Sequence, residues 1–311
     1  MLPPPCGRQR AVPSGRTSFP ERRDRCDEGQ PLDTLTLGAA LLSALLHASW
    51  NAAVKAHPQP REAMAAQMIT AALLCVPGLW WAGLPPLAAW PWMLLSTGLN
   101  MVAVLSLLKA YEQGGFGTVY PMARATAVLG VAAVAPILLG ERLGLWASVG
   151  VGLVAGALML LALDTRRATT TDFRPGTLAW TLISGLFTAG YVLADAQGVR
   201  SSGSALAYGF TVSILNALAM SWLNRGLGSP WQLVRRHARL ALPAGVVSTT
   251  SDLLILWVFM HAPVAAGAAL RDTSAVFAML IAVWWLKEPL PPRRLAVVLL
   301  ALAGVPLLRL G

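Results

Sequence analysis

The sequence predicts an all-α integral membrane protein with ten transmembrane helices, arranged as two inverted five-helix repeats. Three observations carry this expectation. The chain is 56% hydrophobic and 12% charged, where a soluble domain of this size has about 25% charged residues. From Leu35 onward its apolar runs recur at about 20 residues, the length a helix rising 1.5 Å per residue needs to cross ~30 Å of hydrocarbon. Finally, Tyr120 to Leu143 slides without a gap onto Gly267 to Leu290 at a constant offset of 147, so that Arg124 meets Arg271, Thr126 meets Thr273 and Glu141 meets Glu288.

The first five runs are Leu35 to Ala56, Ala63 to Trp81, Trp90 to Leu108, Thr118 to Leu139 and Leu145 to Leu163. Each carries few polar residues. His47, Trp50 and Asn51 in the first share one helical face through offsets of three and four. Gln67 in the second and Asn100 in the third read as interhelical hydrogen-bonding groups, and Gly150, Gly152 and Gly156 in the fifth as a close-packing stripe. The polar stretch Asp164 to Pro175 reads as a linker. Beyond it lie Gly176 to Gln197, Ala205 to Leu223 with Asn216, Leu240 to Met260, Val264 to Leu286, and Leu295 to Leu310. The eighth run begins unusually hydrophilic, with Ser248 to Ser251 followed by Asp252 some 12 residues in. The expected organisation is a disordered basic tail over 1–33, a first repeat over 34–163, a linker over 164–175 and a second repeat over 176–311. Five is odd, so the second repeat enters the membrane from the opposite side, which supplies two near-equivalent conformations open to opposite faces.

An ionised side chain inside a spanning helix costs about 2.5 to 3.5 kcal/mol on insertion scales, so the matched arginines are the first candidates for function. Arg124 lies ~10 Å from the nearer end of its helix, and Arg271 at the equivalent depth from the opposite face. A guanidinium fork suits carboxylate or phosphate, so two of them in one wet cavity favour an anionic or zwitterionic solute. Thr126 and Thr273 join the candidate set through the repeat. Aligning LLSALLHASW with TLISGLFTAGY sets Tyr191 opposite Trp50, and these two with Trp257 are expected to shape a pocket. His47, Asp252 and Asp272 are the candidates for proton coupling or ion pairing. Asp252 is expected to pair with Arg271. Asp272 points about 100° away from Arg271 around their helix, so those two are not expected to face each other. Glu141 and Glu288 read as helix-end groups, in caps or loop salt bridges.

No phosphate loop, nucleophile elbow or metal-ligand spacing is found, so no enzyme activity, cofactor or metal is expected. Cys6, Cys26 and Cys75 form no disulfide or zinc pattern. The net charge of +10 does not point to nucleic acid, because six arginines lie in the first 25 residues and the rest, apart from Arg124 and Arg271, are spread over short loops, where basic residues orient membrane proteins. That tail has no apolar core and is not a secretory signal.

The run SALLHASWNAAVK (Ser43 to Lys55) resembles the first helix of EamA-type members of the drug/metabolite transporter superfamily. LLGERL (Leu138 to Leu143), followed by glycine-rich Gly150 to Gly156, is similar to that family's fourth and fifth helices, and LKEPL (Leu286 to Leu290) to its ninth. The resemblance covers roughly Leu35 to Leu310. It implies two inverted five-helix bundles around a central cavity, in the cell membrane with both termini cytoplasmic, although the loop charges favour an outside N-terminus. It also implies secondary transport of a small metabolite, commonly export. The family pattern at the middle of the fourth and ninth helices is small or proline-like, so the resemblance gives Arg124 and Arg271 no role. The function expected is alternating-access transport of a small organic solute, as monomer or homodimer, with a proton or counter-solute as coupling partner. A cationic exporter recognising its solute through Asp252 and Asp272 is one alternative; a non-transporting subunit or lipid-handling protein is another.

Overall fold

The computed structural model describes residues 32–113, 116–141, 143–168, 175–278, 280 and 292–309. Among these the chain is helical throughout, with no strand. The helices are α1 (Thr34–Lys55), α2 (Pro60–Ala82), α3 (Trp90–Gln113), α4 (Phe116–Leu138), α5 (Leu145–Ala168), α6 (Pro175–Ser202), α7 (Ala205–Leu223), α8 (Pro230–His261), α9 (Val264–Asp272) and α10 (Pro292–Arg309). Seven of them, α1 to α4 and α6 to α8, are long and apolar enough to cross a membrane. Large apolar side chains such as Trp80, Leu87 and Ile137 stand exposed on the outside, as a lipid-facing surface requires. This is a multi-pass membrane protein.

Local chemistry sets the helix ends. Asp33 caps α1 by accepting from the Thr36 amide at 2.9 Å, and hydrogen bonding from Thr36 holds its carboxyl below the usual carboxylate range. Ser229 and Gln232 form a capping box with Pro230 at the first helical position, which starts α8 ten residues before the expected Leu240. The polar first turns, with Arg235, Arg236, His237 and Arg239, hide this start from hydropathy. His237 is held against Glu62 of α2 at 3.2 Å. The cluster Ser248 to Asp252, expected near a helix start, therefore lies well inside a helix of 32 residues.

The expected ten spans are not all matched. Among the described residues, α5 and α10 offer apolar stretches of fewer than 18 residues, Leu145–Leu160 and Leu299–Leu308. The expected ninth span is interrupted: α9 ends at Asp272, Thr273 forms a turn, and helix resumes over 274–278. At the break the Thr273 hydroxyl donates to the Leu270 carbonyl at 2.6 Å and Val276 N–H turns back to Thr273 O at 2.8 Å. A hydroxyl bonded back to its own helix bends it. The expected linker is shortened, since α5 runs to Ala168 and α6 begins at Pro175. The tail over 1–31, and Leu286, Glu288 and the rest of LKEPL, lie outside the described residues.

The packing interleaves the two halves of the chain. α1 lies along α8, α3 along α6, α2 against both α7 and α8, α4 against α5 and α6, and α5 against α10. Of the expected glycine stripe only Gly150 sits at a contact. A Cβ there would meet Gly304 O and Leu308 at 2.9 Å, whereas Gly152 and Gly156 face open space.

Candidate functional site

A cavity of about 880 Å³ opens between the halves. It runs from Val54, Pro60, Arg61, Lys109, Glu112 and Trp180, at neighbouring ends of α1, α2, α3 and α6, inward to Tyr191, Asp195, Arg124 and Arg271. Arg124 comes from α4 and Arg271 from α9, 147 positions apart, yet both reach His47 of α1. Arg124 Nη2 lies 3.3 Å from His47 Nε2 and Arg271 Nη2 3.2 Å from His47 Nδ1. A neutral imidazole has one acceptor nitrogen, so His47 accepts from one arginine at a time, according to its tautomer. The ring is buried and packs edge-on against Trp50, with centroids 5.1 Å apart.

Each arginine also has a carboxylate. Arg271 pairs with Asp252 of α8, as the sequence led us to expect. Arg124 lies 3.5 Å from Asp272 and over the Tyr120 ring at 5.0 Å. The neighbours Arg271 and Asp272 thus turn to different partners. The two pairs differ in wetness, because the Asp272 side chain is 7% exposed and that of Asp252 53%. Trp50 and Tyr191 line the cavity, and Trp50 Nε1 and Asn216 Oδ1 are buried there without a hydrogen-bond partner.

Asp272, though paired with Arg124, does not line the cavity, and neither do the three remaining candidates. Trp257 is tilted against His261, with centroids 4.4 Å apart. Thr126 donates to the Met122 carbonyl at 2.9 Å and fills the space above Gly185 where α4 and α6 meet. Thr273 belongs to the break after α9. All three sit on or beside helices that carry cavity residues but point elsewhere, which hydropathy and sequence alignment do not read. Gln67 of α2 bonds Ser248 of α8, the interhelical role expected of it.

The second half of the chain carries the decisive likeness, since residues 176–310 match the model of the EamA-like transporter family. This segment is EamA-like. A crystal structure described only as that of a protein superposes with a TM-score of 0.67, covering 89% of this chain and 96% of that one at 17% identity. At that identity the likeness speaks for the fold. No curated protein matches by sequence.

In this membrane protein with an EamA-like second half, the end of the bundle away from the cavity mouth is tied by an ion pair that sequence reasoning left without a partner. Glu141, just after α4, holds Arg200 at the end of α6 at 2.6 Å and accepts from Val264 N–H, the first amide of α9, at 2.7 Å. Arg200 in turn donates to the Phe259 and Ala262 carbonyls at the end of α8, at 2.8 and 3.1 Å. Orphan amides and carbonyls of two helix ends are thereby satisfied by one charged pair. Asp195 of α6 also escaped the sequence reading. It lines the cavity and accepts from Tyr208 Oη of α7 at 3.0 Å.

Proposed function

We propose that this protein is a secondary active transporter, which moves a small zwitterionic or anionic organic solute out across the cell membrane by alternating access. The observation that carries the reading is the convergence of Arg124 and Arg271 on His47 at the inner end of the cavity. Two guanidinium forks at membrane depth are costly unless they recognise something. Their existing carboxylate partners favour a solute bearing both charges. A bare anion must displace an aspartate, whereas a zwitterion exchanges partners, its carboxylate to Arg271 and its ammonium to Asp252, and leaves every charge paired. Trp50 and Tyr191 supply walls for its apolar part, and Trp50 Nε1 and Asn216 Oδ1 a donor and an acceptor.

The packing pattern supports a two-repeat organisation. Advancing each helix by five places, cyclically, turns the α1–α8 pair into α6–α3, α2–α8 into α7–α3 and α4–α6 into α9–α1, while α2–α7 and α5–α10 map onto themselves; all of these contacts occur. Such symmetry supplies two conformations of similar energy. A mouth at one end and the Glu141–Arg200 tie at the other suit one of the two.

Thermal stability of the purified protein in detergent tests the reading, against amino acids, organic acids, phosphorylated metabolites, nucleosides and cationic drugs. A ligand of the folded form alone stabilises by about 2.7 kcal/mol at a hundredfold excess over Kd. Stabilisation by an anionic or zwitterionic compound, lost in Arg271→Gln, is the expected result. Stabilisation by cations alone moves recognition to the aspartates, and silence across the panel refutes a solute site in this cavity.

A further inference from the structure

Asp195 differs in kind from the two carboxylates beside the inner arginines. Asp252 and Asp272 each have an arginine. Among the described residues no lysine, arginine or histidine nitrogen comes within ion-pair distance of Asp195. Its partner is the Tyr208 hydroxyl, and the buried Ser96 hydroxyl of α3 lies beside it, short of a well-formed hydrogen bond. The Tyr208 position is a built one. Tyr208 is fully buried, and its ring passes so close to Gly198, three residues beyond Asp195 on α6, that a Cβ there would fall 2.4 Å from the ring and 2.5 Å from its hydroxyl. Only glycine leaves room for a phenol to reach this carboxyl.

The groups around it are few. α7 contributes Tyr208, α8 Asp252, α9 Arg271, and α6 itself Tyr191. α4 brings Arg124, paired with Asp272 of α9, and α3 brings Lys109, Tyr111 and Glu112 to the same cavity. Arg200 of α6 is engaged with Glu141. Among the described residues, with the two inner arginines matched by Asp252 and Asp272, Asp195 leaves the inner cavity with one negative charge in excess. Open to water, that charge is tolerable. Closing the cavity strands an uncompensated carboxylate at membrane depth, which is strongly unfavourable.

We propose that Asp195, held by Tyr208, is the proton-binding site that couples this transporter to a proton gradient. From the open mouth the carboxylate takes a proton from hydronium, leaving water and a neutral carboxyl, and the inner cavity can then close without an excess charge. When the cavity opens to the other side, the carboxyl returns the proton to water. The inference rests on the transporter reading for its purpose but not for its detection, so the two fail separately.

Infrared difference spectra of the full-length protein in detergent, between neutral and acid pH, read the C=O stretch of protonated carboxyls. We expect a band in the wild type that Asp195→Asn removes and Asp252→Asn leaves. Its presence in Asp195→Asn, or absence from the wild type, overturns the proposal whatever the protein transports. In proteoliposomes loaded with the stabilising solute, wild-type counterflow is expected to vary with pH, and the profile of Asp195→Asn to be flat over the same range whatever its absolute rate. A pH profile that survives the substitution also overturns the proposal. No counterflow in the wild type at any pH refutes the transport reading instead, and leaves the infrared result to decide the proton site.

Discussion

Arg124→Gln should destabilise this protein far more than Arg271→Gln, although the two arginines align in sequence at an offset of 147. Both substitutions remove a contact with His47 at 3.2 to 3.3 Å, so that loss cancels in the comparison. The difference lies in the carboxylate left behind. Removing Arg124 strands Asp272, 7% exposed, and breaking one side of a buried pair costs about 3 to 5 kcal/mol. Removing Arg271 leaves Asp252, 53% exposed to cavity water, where a pair is worth about 1 kcal/mol or less. The gap between the variants is therefore about 2 to 4 kcal/mol. Thermal unfolding in detergent at one scan rate should order the midpoints wild type, Arg271→Gln, Arg124→Gln. Adding Asp272→Asn to Arg124→Gln should recover most of the loss, because it removes the stranded charge. Equal losses in the two single variants, or no recovery in the double, would refute the assignment of the cost to Asp272.

Glu141→Ala frees Arg200 and the Val264 amide together, loosening the end of the bundle away from the mouth by about 1.5 to 3 kcal/mol, the worth of a charge-assisted hydrogen bond. With Cys6, Cys26 and Cys75 replaced by serine, a cysteine substituted for buried Ala262 should then react faster with a membrane-impermeant maleimide; an unchanged rate would mean that the ion pair does not hold this end shut. Gly150→Val drives a side chain into Gly304 O and Leu308 and should cost about 1 to 3 kcal/mol by overpacking, whereas Gly152→Ala, in open space, should be neutral or stabilising. Thermal midpoints of the two check this, and similar losses would contradict the α5–α10 contact.

Some features were legible in the sequence because their physics is local. Hydropathy summed over a window marks a membrane helix wherever it sits, and the first to fourth, sixth and seventh spans were found within a few residues, apart from the polar ends of α3 and α6. A charge at membrane depth is conspicuous by its cost alone, so Arg124 and Arg271 stood out before any contact was known. The same rule missed Asp195 because α6 was expected to end at Gln197, which sets Asp195 at the rim. The helix continues to Ser202, so this carboxylate lies about two turns from the helix end. The start of α8 was missed for a related reason, since capping and partners on α2, rather than apolar content, hold its first turns.

By itself the sequence determined the solvent, the helices and the residue types that the membrane makes expensive. Only the tertiary structure decided which of them meet: that His47 lies between both arginines, that Arg124 takes Asp272 and Arg271 takes Asp252, that Trp257 turns from the cavity while Trp50 enters it, and that Glu141 finds Arg200. Hydropathy is a sum along the chain, and its value does not depend on the azimuth of a side chain. Pairing depends on azimuth, on helix crossing and on the break at Thr273, and these are fixed only when the helices pack.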